Sequence, residues 1–187
     1  PIPVPSYGPG GSFSISCSTI INAAPLTCLE IVLDTSNYPS WNRFCRRVTI
    51  DHTPSATLNS DSPLELSQLM QRPNYIFPGL KFSFEVYSNP DGDAKPRQQP
   101  LEATVLQRIT EDGRTGYRVA WKMLGMPYYV LHSERVQDFI EYRTEEGVIA
   151  TQYRCWETFG GLIAAAMKLS VASQIEEGFN VWAEGLR

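Results

Sequence analysis

The sequence has few of the residues that bind metal ions. Its 187 residues include only two histidines and four cysteines. The cysteines at positions 17, 28, 45 and 155 form no CxxC pair, so no zinc site or other metal site is expected. Because the cysteines lie in apolar helical or strand-like patterns, we predict that they are buried free thiols.

Clustered positive charge and long apolar runs are also absent. The formal net charge is -4, and no basic run supplies the grouped Lys and Arg that contact phosphates, so no nucleic-acid partner is expected. No apolar run reaches the roughly 20 residues that cross a bilayer. The first segment, PIPVPSYGPGG, has neither the charged start nor the apolar core of a signal peptide. We therefore expect a cytoplasmic protein without a membrane span.

What is present is the composition of an ordinary globular domain, 42% hydrophobic and 19% charged. A chain of 187 residues is long enough for one domain with a core and an internal cavity, and short for two. We predict a flexible arm over residues 1–11 and a single domain over residues 12–187.

Alternation of apolar and polar residues predicts strands along much of the chain. The clearest is LKFSFEVYS, in which Leu80, Phe82, Phe84 and Val86 face one way. Two hairpins are predicted, one turning at TEDGRT and the other at RTEEG. The segment NPDGDAKPRQQP is predicted as a loop because turn-forming residues dominate it.

Helices are predicted near the start, in the middle and at the end of the chain. Pro25 suits a first helical turn, and Pro39 stops that segment. A short helix is predicted around Leu64–Met70. After a corner at Gly160 and Gly161, the tail is predicted as one long helix. Its apolar stripe consists of Leu162, Ala165, Leu169, Ala172, Ile175, Phe179, Trp182 and Leu186.

The order of these elements predicts the fold class. One strand, a helical segment, about six strands and a long C-terminal helix indicate an α+β domain with an antiparallel sheet and helices on one side. A curved sheet around one long helix leaves space between them. The inward positions mix large apolar side chains with polar ones, which favours a ligand cavity over a solid core.

The segment from INAAP to NYPSWNRF resembles the opening of the polyketide cyclase/dehydrase and lipid-transport superfamily, also described as START-like, birch-pollen-allergen-like or SRPBCC. The residues that carry this resemblance are Ala24, Pro25, Tyr38, Pro39, Trp41 and Asn42. Later segments, PGLKFSFEVY, RVAWK, LHSERVQDFIEY and QYRCWETFGGLIA, resemble strands and the terminal helix of fungal-type members. The resemblance covers residues 12–186.

This resemblance implies a helix-grip fold, in which a curved antiparallel sheet of about seven strands wraps around a long C-terminal helix and encloses a cavity. It also implies a small hydrophobic ligand and no cofactor. Because the superfamily includes carriers, receptors, hydrolases and cyclases, two functions are expected. One is a cofactor-independent cyclase or isomerase acting on a polyketide- or terpenoid-like intermediate of secondary metabolism. The other is a non-catalytic carrier or sensor of a hydrophobic ligand or lipid.

Three ionisable residues are candidate catalytic groups. His132 and Glu134 lie two residues apart on one predicted strand, so they share a face and can form an acid/base pair if that face is inward. Arg154 is a candidate for stabilising an anion, and a surface ion pair is the alternative. The sequence leaves open which face of the strand carrying His132 points inward. The opposite parity turns inward Leu131, Ser133, Arg135 and Phe139.

Large apolar side chains are the candidate ligand-binding groups. They are expected to form the wall of the cavity, or else to be ordinary core. The set comprises Trp41, Phe82, Phe84, Trp121, Trp156 and Met167. For Trp41 and its neighbour Tyr38, a plug that seals one end of the core is the alternative to a ligand-binding wall.

Overall fold

A computed structural model describes residues 1–55, 61–89, 91–92 and 95–187. Within these ranges the chain forms seven strands and five α-helices. The strands are β1 (Phe13–Ile21), β2 (Cys45–His52), β3 (Lys81–Val86), β4 (Arg97–Glu111), β5 (Arg114–Met123), β6 (His132–Arg143) and β7 (Ile149–Gly160). The helices are α1 (Pro25–Leu33), α2 (Tyr38–Trp41), α3 (Leu64–Met70), α4 (Ala164–Ser170) and α5 (Ala172–Gly185), with a 3-10 turn at Thr35–Asn37.

All seven strands belong to one antiparallel sheet, whose order is β1-β7-β6-β5-β4-β3-β2. The first two strands in sequence therefore lie at opposite edges, joined by α1 and α2. The predicted hairpin at TEDGRT is confirmed: Asp112 and Gly113 have φ angles of 50° and 74°. Positive φ at both central residues is what a two-residue hairpin of type I′ requires. The α+β helix-grip architecture predicted from the sequence is confirmed.

The core lies between α1, α5 and one face of the sheet, which we call the inner face. Phe179 and Trp182 of α5 are buried there. The Trp182 ring contacts Phe84 of β3 and Trp121 of β5, with centroid distances of 6.0 and 6.1 Å. Large aromatic side chains thus join the terminal helix to the middle of the sheet, because each buries more apolar surface than an aliphatic residue.

The single long helix predicted for the tail is wrong. Val171 has φ −131° and ψ −2° and separates α4 from α5. The turn between β7 and α4 sets the direction of α4. In this turn Gly161 has φ +101°, and the Leu162 amide donates to the Tyr129 carbonyl. As a result Leu169, assigned to the buried stripe, is 90% exposed.

The segment NPDGDAKPRQQP is only partly a loop. Residues 90, 93 and 94 lie outside the described residues. β4 already begins at Arg97, which pairs with Val86 of β3. Neighbouring strand edges supply partners for this segment, so tertiary pairing overrides its turn-rich composition.

The first residues of the chain lie against the other face of the sheet, the outer face. Val4 is buried beside Ala120 and Val136. The Trp156 indole donates to the Pro3 carbonyl at 3.1 Å. These residues contact the sheet rather than extending away from it, and the division of the chain at residue 12 stays a prediction. Within the described residues, no helix has the length and apolar character needed to span a bilayer.

Candidate functional site

A cavity of about 390 Å³ lies between the inner face and the helices α4 and α5. Strands β3 to β7 supply its walls, and the loop between β5 and β6 borders it. Its apolar lining includes Phe84, Leu101, Trp121, Leu131, Phe159, Met167 and Phe179. Its polar lining includes Arg97, Gln99, Ser133, Arg135 and Glu157. This mixture of an apolar wall with a few polar groups is typical of small-molecule sites.

The polar groups reach the cavity because of the register between β6 and β7. Ser133 pairs with Phe159, and Arg135 pairs with Glu157. Side chains of directly opposed residues lie on the same face of a sheet. Of the two parities that the sequence leaves open for β6, the structure therefore has the one that turns Ser133 and Arg135 inward.

Glu157 is the carboxyl group of the cavity. Its Oε1 accepts a hydrogen bond from the Ser133 hydroxyl at 2.6 Å. Burial raises the pKa of Glu157, and this effect outweighs the Ser133 hydrogen bond and the charges of Arg135 and Arg97, which lower it. A carboxyl group with a raised pKa in a cavity can accept and return a proton closer to neutral pH.

Arg135 is the buried cation among the described residues of the cavity lining and is only 4% exposed. Its guanidinium contacts the rings of Phe179 and Trp182, with Cζ 4.1 and 4.2 Å from their centroids. The Nε donates to the sulfur of Cys155 at 3.2 Å, whereas the buried Nη2 has no hydrogen-bond partner in the part of the chain that the structure describes. Such a group is suited to stabilising negative charge on a bound molecule.

Further polar contacts link the inner-face residues of β7 to β6 and β1. Tyr153 donates from its hydroxyl to Gln137 at 2.7 Å. Cys155 lies opposite Cys17 of β1. Burial opposes ionisation of Cys155, but a hydrogen bond from Cys17 and the charge of Arg135 lower the pKa of Cys155 to about 7. All four cysteines are free thiols, as predicted, and Cys28, Cys45 and Cys155 are buried, whereas Cys17 is only partly buried.

The predicted catalytic residues do not line the cavity. His132 lies on the outer face, where its Nδ1 is 2.7 Å from the Tyr128 carbonyl and its ring stacks on Tyr128. Glu134 accepts from the Ser6 amide at 2.6 Å and from the Thr104 hydroxyl at 2.6 Å. The choice of His132 and Glu134 as cavity groups is wrong, because the register places their parity on the outer face.

Arg154 also lies on the outer face. Its Nη2 contacts Asp138 at 3.1 Å and Glu111 at 3.0 Å. Asp138 is fully buried and also receives two hydrogen bonds from Arg118. The predicted place of Arg154 in the cavity is therefore wrong. The structure contains the cross-strand ion pair considered as its alternative, but with a buried carboxylate rather than at the surface.

The predicted aromatic wall is divided among three places. Phe84, Trp121 and Met167 line the cavity, and their role in ligand binding stays a prediction. Phe82 is fully buried behind them, 5.3 Å from the Phe84 ring. Trp156 lies on the outer face, where the first residues of the chain cover it.

Trp41 is a plug rather than part of the cavity wall. Its ring lies 5.1 Å from Tyr38 and 5.2 Å from Trp182, and it is not among the cavity residues. The Tyr38 hydroxyl donates to the Val32 carbonyl at 2.8 Å, which ties the end of α1 to this cluster. The segment containing both residues therefore closes one end of the core.

Sequence reasoning missed Glu157 and Arg135 as the site, although a signal for them is present. Apolar Tyr153, Cys155 and Phe159 share the parity of Glu157, which marks that face of β7 as inward. Arg143 pairs with Ile149 across the hairpin, so odd positions oppose odd positions. Once the turn between the two strands is placed correctly, the inward face of β7 identifies the odd-numbered residues of β6 as inward too.

The described residues contain no group of three His, Cys, Asp or Glu side chains arranged to hold a metal ion. No protein-family model matches the chain. A curated relative, the oxopyrrolidines biosynthesis cluster protein O of Penicillium oxalicum, is 28% identical over 178 residues, covering 90% of this chain and 82% of the relative.

Solved structures show the same fold at low sequence identity. A hypothetical protein from Helicobacter pylori matches with a TM-score of 0.60 and 15% identity, over 95% of this chain and 88% of that one. A START superfamily protein from Mycobacterium smegmatis matches with a TM-score of 0.52 and 13% identity, over 92% and 93%. Norcoclaurine synthase from Thalictrum flavum matches with a TM-score of 0.53 and 9% identity, over 93% and 91%. The chain therefore shares the helix-grip fold of these structures, one of which is a START superfamily protein.

Proposed function

We propose that the protein is a cofactor-independent enzyme of the cyclase or isomerase type, acting on a hydrophobic polyketide- or terpenoid-like intermediate of secondary metabolism. The observation that carries this proposal is the Glu157 carboxyl group, which faces an apolar cavity and is hydrogen bonded to Ser133. The relative from a biosynthesis cluster supports the same kind of pathway. The free cysteines suit a reducing compartment and support a cytoplasmic location.

The proposed reaction begins with proton transfer. The Glu157 carboxylate takes a proton from a carbon next to a carbonyl group, and the electron pair of that C–H bond moves onto the carbonyl oxygen. Arg135, directly opposite Glu157 in the register, stabilises the oxyanion. In the cyclase branch the enolate carbon attacks a second carbonyl carbon of the same substrate, the π electrons of that C=O bond move onto its oxygen, and this alkoxide takes the proton back from Glu157. In the isomerase branch the enolate regains the proton from Glu157 at another carbon. The apolar wall orients the flexible substrate, which lowers the entropic part of the barrier.

The first experiment identifies the ligand. Mass spectrometry of compounds that co-purify with the protein gives the product class, and the linear precursor of that compound is then incubated with the protein. Glu157→Gln keeps the shape of the side chain and removes its ability to accept a proton. We expect kcat to fall roughly 100- to 10,000-fold, as for loss of other general bases.

Glu102→Gln is the matched control for this substitution. Glu102 lies on β4, outside the cavity, near Lys122 at 3.9 Å. Its variant should turn over the precursor at the wild-type rate. Turnover by Glu157→Gln at the wild-type rate, in a protein with unchanged circular dichroism, would contradict the assignment of Glu157.

The outer-face residues provide a second comparison. His132→Asn and Arg154→Met change groups that do not line the cavity. Both variants should keep kcat within about twofold of the wild-type value, because neither side chain contacts the proposed substrate. A selective loss of turnover in either variant would place the chemistry outside the cavity.

The alternative function is a carrier or sensor of a hydrophobic ligand. It is favoured by the predominance of apolar side chains in the cavity wall. A carrier returns its ligand chemically unchanged. Recovery of the intact precursor after prolonged incubation, with tight binding in both the wild type and Glu157→Gln, would support this alternative over the enzyme.

A further inference from the structure

The chemical class of the ligand can be narrowed from the one buried cation of the cavity. We infer that the ligand carries an acidic oxygen group, either a carboxylate or the enolate of a 1,3-dicarbonyl, which binds the guanidinium of Arg135. This inference deepens the proposed function and rests on it for the cavity being the binding site. It makes no use of turnover.

The first supporting observation is that Arg135 lacks a carboxylate partner. In the described part of the chain, no carboxylate oxygen lies within 4.0 Å of Arg135. The outer-face arginines differ, since Arg118 and Arg154 both contact Asp138. Among the described residues, the side chain that accepts a hydrogen bond from Arg135 is Cys155, which occupies only the Nε donor. A buried charge is costly unless it is paired and hydrogen bonded, so an oxyanion from outside the chain can complete the partners of Arg135.

The second observation is the direction that remains open to a partner. The rings of Phe179 and Trp182 both contact the guanidinium, at 4.1 and 4.2 Å from their centroids to Cζ. A further hydrogen-bond acceptor must approach a donor that these contacts and Cys155 leave open. One edge is used by the bond from Nε to Cys155, and Nη2 remains unpartnered. A planar oxyanion with charge spread over two oxygens matches the in-plane donors of a guanidinium.

The third observation is the charge of the cavity lining. Among the described residues its Asp, Glu, Lys and Arg side chains are Arg97, Arg135 and Glu157, which gives two cations and one carboxyl group. The carboxyl group is hydrogen bonded to Ser133 and makes no ion-pair contact with Arg135 within 4.0 Å. The lining therefore favours a negatively charged ligand over a neutral or positively charged one of the same shape.

The inference is tested with a matched pair of probes that share a chain length and differ in charge, decanoate and 1-decanol. Binding is measured by isothermal titration calorimetry at pH 8. We expect the wild-type protein to bind decanoate at least 10-fold more tightly than decanol. In Arg135→Met this preference should fall below twofold, with the affinity for decanol unchanged. Arg154→Met is the matched outer-face control and should keep the wild-type preference.

A third probe distinguishes the two sources of the oxyanion. 2-Octanoylcyclohexane-1,3-dione is an acidic 1,3-dicarbonyl that is ionised at pH 8. Tighter binding of this compound than of decanoate, lost in Arg135→Met, assigns the site to an enolate, whereas the reverse order assigns it to a carboxylate. Either order supports binding of an acidic oxygen group.

Equal affinities for decanoate and decanol in the wild type would overturn the inference, as would a preference that persists in Arg135→Met. If Arg135→Met fails to fold, Arg135→Lys is used instead: it keeps the charge but lacks the planar donors of a guanidinium, so it should bind decanoate less tightly than the wild type with the affinity for decanol unchanged. Acid preference combined with normal turnover by Glu157→Gln would remove the proposed function and leave this inference standing. Equal affinities for decanoate and decanol, combined with loss of turnover by Glu157→Gln, would remove this inference and leave the proposed function standing.

Discussion

At the scale of single residues, Glu157 illustrates a group whose ionised form the fold disfavours. Its pKa is raised above the ordinary value of 4.5, mainly by burial. Just above pH 4.5 the folded protein therefore holds a proton that the unfolded chain has lost. Stability must then fall as the pH rises from 4.5 through the folded-state pKa. A site that activates a carboxyl group in this way lowers the stability of the protein at neutral pH.

Glu157→Gln should remove this pH-dependent loss. The glutamine carries no charge to desolvate, so we expect the free energy of unfolding at pH 8 to rise above the wild-type value. At pH 4, where the native carboxyl group is protonated, the difference from wild type should largely disappear. Urea unfolding at the two pH values measures both. A variant that is less stable than wild type at pH 8 would contradict the raised pKa of Glu157.

At the scale of elements, α4 is the weakest part of the cavity wall. Ala164 is its buried residue, whereas α5 buries Gly178, Phe179, Trp182 and Ala183. An element with few buried apolar contacts opens at a lower free energy than one anchored in the core. Because Met167 of α4 lines the cavity, opening of this helix would widen the cavity towards solvent.

Hydrogen exchange tests this difference between the two helices. Without ligand, amides of α4 should exchange at least 10-fold faster than those in the middle of α5, because opening α4 exposes less apolar surface. A bound ligand that contacts Met167 should slow exchange in α4 more than in α5. Mass spectrometry of peptides covering residues 164–170 and 172–185 measures both effects, with β6 as the protected reference. Equal protection of the two helices would contradict this view of α4.

The elements also show how far the sequence determines this structure. Local signals were sufficient for the hairpin at Asp112 and Gly113 and for the helix Leu64–Met70, where turn chemistry and periodicity agree. They failed at Val171, because an apolar period of 3.6 continues across a break in the backbone. The start of β4 at Arg97 was missed because pairing with the neighbouring strand β3, and not the local composition, makes this segment a strand.

The candidate site was harder to predict than the fold, for a related reason. Both faces of β6 carry polar residues: Ser133 and Arg135 on one, His132 and Glu134 on the other. Hydrophobic alternation therefore does not distinguish them, and a shift of one position exchanges the faces. The fold class depends on many strands at once, whereas the site depends on the register of a single strand pair.

At the scale of the whole molecule, the two faces of the sheet have separate polar networks. The cavity and Glu157 belong to the inner face. On the outer face, Ser6 donates two hydrogen bonds to the buried carboxylate of Glu134, and the Thr158 hydroxyl donates to the Ile2 carbonyl. The contacts of the first residues are thus with the convex side of the fold, away from the ligand.

Deleting residues 1–10 should therefore reduce stability without affecting ligand binding. The deletion removes two hydrogen bonds to a buried carboxylate and exposes Trp156, so we expect a loss of about 3 kcal/mol in the free energy of unfolding. Ser6→Ala, which removes the hydroxyl and keeps the amide, should cost about half as much. Urea unfolding measures stability, and calorimetry with decanoate measures binding. Weaker decanoate binding by the deletion variant would show that the two faces are coupled.

The pairing of β1 with β7 has a consequence for how the protein is made. Phe13 lies opposite Phe159, and Ile15 lies opposite Glu157. During synthesis, β1 leaves the ribosome first but has no strand partner until β7 has been added. Contacts this distant in sequence slow folding, because a long stretch of chain must be ordered before they form. The strand that carries Glu157 is thus the last of the sheet to be synthesised; its arrival joins β1 to the other strands, and α4 and α5, which follow it, complete the cavity wall.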